Sequence, residues 1–128
     1  MKEQDINFNM EDAVEKMGAF VSKTVSFTRP FGKMAKKMDG KDPEKQKERS
    51  LDFCQKKLRG IWDHTFLKPV FGEKANVLSD EEINTYILGT FITGHSKEFR
   101  TKLIPAYKNI IKELSDTIEK KSIGEKNA

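Results

Sequence analysis

The chain has 128 residues, 36% of them hydrophobic and 34% charged, with a net charge of +4. That length supports one domain with its own core and no staple, and a single cysteine excludes an intramolecular disulfide and fits a reducing compartment. No run approaches the ~18 apolar residues of a membrane span, and the polar start Met1-Lys2-Glu3-Gln4-Asp5 lacks a signal-peptide core, so the expected location is the cytoplasm.

Residues 1–8 carry no periodic signal. Asn9 can cap a helix beginning at Met10, with Glu11 and Asp12 in its first turn. Met10, Ala13, Val14, Met17, Val21, Thr24 and Val25 then mark an inward face, and Pro30 predicts a stop near Phe27. Phe31 to Met38 can form a short helix ended by Asp39-Gly40.

Asp42-Pro43-Glu44 reads as the start of a longer helix, running to about Phe66. Leu51, Cys54, Leu58, Ile61 and Trp62 recur at steps of three or four and form its apolar face. Gly60 inside it suggests close packing against a neighbouring helix. Pro69 and Gly72 are expected to break the chain, with a loop to Leu78.

Ser79-Asp80-Glu81-Glu82 has the form of a capping box at the head of an apolar run through Ile83, Tyr86, Ile87, Leu88 and Phe91. That helix should be the most buried and should end at Gly94. Ser96 then caps a last helix from Lys97 to about Lys121 that tolerates or kinks at Pro105, with Phe99, Leu103, Tyr107, Ile110, Ile111, Leu114 and Ile118 inward and a frayed tail from Ser122. No stretch alternates as a strand does. The predicted fold is all-α, a single domain built as a compact bundle of about four to five helices with short links.

One internal echo stands out. Phe27-Thr28-Arg29-Pro30-Phe31-Gly32 resembles Phe66-Leu67-Lys68-Pro69-Val70-Phe71-Gly72. A helix-stop device used twice explains both copies: proline ends the helix, phenylalanine plugs the core and glycine frees the turn.

Catalytic signals are sparse. His64 and His95 lie near helix ends, where the dipole favours a histidine that only caps. Cys54 sits on an apolar face and reads as a small buried hydrophobe. Zinc-ligand spacing, a phosphate loop and Glu-x-x-His pairs are all missing, and the clustered acids Glu11-Asp12 and Asp80-Glu81-Glu82 sit at helix starts. The sequence therefore points to no enzyme, no metal and no cofactor.

Binding is the remaining class. Residues 29–59 hold eleven basic and five acidic groups, the whole excess of positive charge. The expected role is that of a protein–protein interaction subunit, an adaptor, chaperone-like or regulatory piece of a larger assembly. Its candidate anchors are Phe27, Phe31, Phe53 and Phe71, with Phe8 and Ile104 also off the tidy stripes. The alternative is nucleic acid held by Arg29, Lys33, Lys36, Lys37, Lys45, Arg49, Lys56 and Arg59, although twenty lysines against four arginines disfavour base-specific reading. A third reading is contact with an anionic membrane through Phe27, Phe31 and their lysines.

Overall fold

The Asn9 side chain accepts a hydrogen bond from the Asp12 N–H at 3.0 Å and opens helix α1, Met10–Lys23. A computed structural model describes residues 8–27 and 43–127 of the chain. The expected helix at Phe31 to Met38 and the Asp42 cap lie outside these residues. α1 buries Ala13, Met17, Phe20 and Val21. The helix pauses at Thr24, whose N–H reaches both the Phe20 and Val21 carbonyls, and residues 25–27 resume helical form. This offset turns Val25 outward, so it is not the core residue its spacing suggested.

Residues 43–71 form one continuous helical rod of five pieces: α2 (Pro43–Phe53), a π turn (Cys54–Leu58), α3 (Arg59–Trp62), a second π turn (Asp63–Leu67) and α4 (Lys68–Phe71). In the wide turns the N–H of Arg59 bonds the Cys54 carbonyl and that of Lys68 bonds the Asp63 carbonyl, each five residues back. They explain a core stripe that a plain α-helix could not keep. Cys54, Leu58, Trp62 and Phe66 are all fully buried and lie four residues apart. At ~100° per residue each such step drifts by ~40°, and three steps would swing Phe66 about 120° off the face. Each wide turn takes in one extra residue and so turns the following residues back towards that face.

The second wide turn also accommodates Pro69. In an α-helix its ring would press on the Thr65 carbonyl, at a cost of ~3 kcal/mol. Here the helix continues through Pro69 to Phe71, and the break falls at Gly72 alone, which takes φ +59°. A 3-10 segment, Gly72–Val77, replaces the expected loop. Gly60 is exposed, and a Cβ there would meet nothing within 4 Å. It is therefore not the close-packing glycine its position suggested.

α5 (Asp80–His95) opens on the expected capping box. The Ser79 hydroxyl accepts from the Glu82 N–H at 3.1 Å, and the Glu82 carboxylate accepts from the Ser79 N–H at 2.8 Å. It ends one residue later than expected, at His95. Residues 97–102 are turns, with the Lys102 N–H on the Phe99 carbonyl at 2.9 Å, and the last helix, α6, spans Leu103–Asn127. Pro105 explains the late start. A helix from Lys97 would place it in the interior, whereas from Leu103 it falls in the first turn, where no N–H is needed. α6 is not kinked there by a lost bond, and it runs past the expected end at Lys121.

Contacts between elements give the topology. α1 runs antiparallel to the rod, pairing Phe8 with Phe71, Phe20 with Trp62 and Phe27 with Phe53, ring centroids 5.2, 5.1 and 6.3 Å apart. α5 is antiparallel to the rod through Phe53–Phe91, Gln55–Asn84 and Arg59–Asp80. α6 is antiparallel to α5 through Thr117–Tyr86 and Lys121–Glu82. The result is an all-α up-down-up-down bundle, with no strand among the described residues.

The tightest crossing lies where α1, α5 and α6 meet. A Cβ on Gly94 would stand 2.5 and 2.7 Å from the Val21 methyls and 3.1 Å from the Tyr107 oxygen. Val21 is β-branched and cannot swing away cheaply. Gly94→Ala should therefore cost ~1–3 kcal/mol, while Gly60→Ala should be neutral or stabilising by up to ~1 kcal/mol. Urea midpoints of the two variants, moving in different directions from wild type, check this pair.

Candidate interaction surface

Of the sequence-derived anchors, Phe71 falls into the core, and Phe27 and Phe53 are half-buried against it. Phe71 is 4% exposed, between Phe8 and Phe66. It plugs the core and is not an anchor for a partner. Phe53 is half-buried between Phe27 and Phe91, at 6.3 and 6.2 Å, and Phe27 is half-buried on Phe53. Such ring pairs each contribute ~0.5–1.5 kcal/mol beyond their area, a structural role sufficient to account for both. Phe31 lies outside the described residues.

The basic set is divided in the same way. Arg29, Lys33, Lys36 and Lys37 lie outside the described residues. Arg59 is committed internally: its Nε holds Asp63 at 3.0 Å and its Nη1 holds Asp80 at 3.0 Å, joining the rod to the first turn of α5. Two carboxylates thus already compensate its charge. Lys56 pairs with Asp52 at 3.3 Å, an exposed contact worth little. Lys45 and Arg49 share a shallow cavity of ≈420 Å³ with Glu48 and Asp52, so opposite charges alternate along that face.

Of the groups that could do chemistry, Cys54 is closed in, His95 is half-buried and His64 is exposed. Cys54 is fully buried, and burial pushes its thiol up to about 12. A thiol so protonated is no nucleophile at neutral pH. His95 stacks on Phe91 at 4.8 Å and bonds Thr24. The Thr24 hydroxyl donates to the Val21 carbonyl at 2.7 Å, so its oxygen accepts from His95 Nε2 at 3.1 Å, which places a proton on Nε2. Burial lowers the His95 pKa. His64 is exposed on the rod. Among the described residues no three His, Cys, Asp or Glu side chains come together as a metal site.

What the fold leaves outside is apolar and lies at one end. Among the described residues the large exposed hydrophobic side chains are Val25 at 61%, Ile92 at 49% and Ile104 at 57%. Val25 is one turn beyond Val21 and Ile104 one turn before Tyr107, whereas Ile92, two residues before Gly94, lies on the opposite side of α5 and continues the exposed stripe of Glu81, Thr85 and Gly89. The Thr24–His95 bond joins α1 to α5 at this end. Ile104 already stood out as off its stripe in the sequence. Val25 was assigned inward.

A cavity of ≈260 Å³ opens at this end, lined by Gly94, His95, Ser96, Lys97, Arg100 and Leu103. Ion pairs within the described residues join Lys16 to Asp12, Lys56 to Asp52, Arg59 to Asp63 and Asp80, and Lys121 to Glu82. Lys97, Arg100 and Lys102 are exposed and make no ion pair among the described residues.

No protein-family model, curated protein or solved structure matches this chain.

Two predictions follow from the buried groups. Cys54 should react with a thiol reagent only as fast as the chain opens, so urea below the unfolding midpoint should accelerate labelling in step with loss of stability. Because the folded-state His95 pKa is lowered, the unfolded chain takes up more protons below its ordinary value of 6.5. Stability should fall as pH drops through that value towards the lowered one, and His95→Phe should flatten this part of the pH–stability curve.

Proposed function

We propose that the protein is a non-enzymatic helical interaction subunit, an adaptor or regulatory component that binds another protein through the end of the bundle where α1 and α5 finish and α6 begins. The observation that supports this reading is the exposure of Val25, Ile92 and Ile104, each on a helix that ends or begins at that end of the bundle. Exposed apolar side chains are the raw material of a docking surface. The closed core supports the same reading, since Cys54 and His95 are both held in their neutral forms by burial.

Nucleic-acid binding through residues 29–59 gains less support. Arg59 is locked between carboxylates, and Lys45, Arg49 and Lys56 alternate with acids. Phosphate binding asks for uncompensated charge along a face. The described residues contain no helix long and apolar enough to cross a membrane. With its lone cysteine buried and reduced, the proposed location is the cytoplasm.

The test replaces the three exposed side chains together, Val25→Asp, Ile92→Asp and Ile104→Asp. Tagged wild-type protein should retain a stoichiometric protein from the source cell, and the triple variant should lose it at least about tenfold while keeping the wild-type helical circular dichroism. A partner retained equally by both, or none retained by either, overturns the reading.

A further inference from the structure

The middle of α5 presents a surface unlike any other on the bundle. The chain is 34% charged, yet no residue from Ile83 to Gly94 carries a charge. The outward faces of the other helices do: Glu11 and Glu15 on α1, Lys56 and Lys68 on the rod, Lys108 and Lys112 on α6 are all exposed. A helix that is uncharged all round is ordinarily enclosed on all sides. α5 packs on the rod through Gln55–Asn84, on α1 through Thr24–His95 and on α6 through Tyr86–Thr117, and its fourth side is open. At ~100° per residue, Glu81, Thr85, Leu88, Gly89 and Ile92 share an arc of about 100° on that side. Thr85 and Gly89 are exposed, and Ile92 is 49% exposed. We propose that this face pairs with the same face of a second copy of the chain, the two α5 helices running antiparallel about a two-fold axis that passes between Leu88 and Gly89. The partner in the interaction reading is another protein, so this pairing goes beyond it, and the two surfaces share only Ile92.

That axis matches large side chains to small ones. It sets Leu88 of one copy over Gly89 of the other and Ile92 over Thr85. A Cβ on Gly89 would meet nothing within 4 Å, so the glycine leaves room for the leucine. A two-fold contact makes each match twice.

The charges that flank the neutral run agree with the same axis. At the start of α5, Glu81 and Glu113 line a cavity of ≈340 Å³ between α5 and α6, beside Thr85, Tyr86 and Thr117. Beyond its other end, Lys97 and Arg100 stand in the turn that leads to α6. The axis lies in the plane of contact and across the helices. It therefore reverses α5 but keeps the α6 sides of the two copies together. Lys97 and Arg100 of each copy then face Glu81 and Glu113 of the other. A parallel pairing would set acid on acid and base on base. An anionic bilayer or a nucleic acid on this face would meet Glu81 and Glu113 as like charges. One helix face makes a small interface, so the association is reversible.

The test follows the full chain by sedimentation velocity over a range of concentrations, with two charge-reversed variants, Glu81→Lys/Glu113→Lys and Lys97→Glu/Arg100→Glu. Wild type should show a monomer–dimer equilibrium that weakens with added salt. Each variant alone should keep the wild-type circular dichroism and dimerise at least about tenfold more weakly. An equimolar mixture of the two should recover the dimer, because both acid–base contacts are restored in the mixed pair. Gly89→Cys, beside the axis, should form a disulfide-linked dimer on mild oxidation. Glu81→Cys should not, since the antiparallel arrangement holds its two copies ~20 Å apart. A monomer at every concentration, a dimer indifferent to both variants, a mixture that stays monomeric, or crosslinking through Glu81→Cys overturns the proposal.

Discussion

The fold depends on keeping one stripe of the rod turned inward over its length. Cys54, Leu58, Trp62 and Phe66 recur every four residues, a period that an α-helix does not sustain. Two wide turns absorb the mismatch, and with the stripe aligned, Phe20 of α1 stacks on Trp62 and Ile83 and Ile87 of α5 join the same core. Without them Phe66 and Phe71 would rotate away from α1, and Phe8 would lose its partner. The stripe is not perfectly satisfied. Among the described residues, Trp62 Nε1 and Asn84 Oδ1 are buried without a hydrogen-bond partner, each costing ~1–3 kcal/mol.

The same alignment fixes the ends of the bundle. Arg59 stands between the two wide turns and reaches both Asp63 and Asp80, which ties the start of α5 to the middle of the rod. The start of α5 is tied a second time, to α6. Lys121 and the Ser79 backbone N–H both bond Glu82 and hold its carboxyl below the usual range. At the other end no ion pair joins the helices among the described residues. There the helices meet by close approach at Gly94 and by the Thr24–His95 bond. Ion pairs thus join the helices at one end, and close packing joins them at the other.

Features that depend only on near neighbours were legible in the residues. The Asn9 cap, the Ser79–Glu82 capping box and the inward faces of α1 and α6 each rest on groups within four residues of one another. Pro69 and Pro105 show the limit of that reasoning. A proline's cost depends on the carbonyl it faces, and a wide turn in one case and a later helix start in the other removed the conflict. Gly60 and Gly94 show the same limit: composition cannot tell a glycine needed for close approach from one standing in open space. Phe71 lies off the stripe of a regular helix, but the wide turn before it brings it into the core, whereas Phe53, ahead of both wide turns, is covered by Phe27 of α1 and Phe91 of α5.

The sequence by itself determined that the chain is helical, where two of its helices begin, and that it holds few groups suited to catalysis, because caps and amphipathic periods are local. Only the tertiary structure decided which large side chains stay outside. Val25, Ile92 and Ile104 are chemically the same as the residues buried beside them, and their exposure follows from where three distant helices cross, a property that no window of neighbouring residues contains.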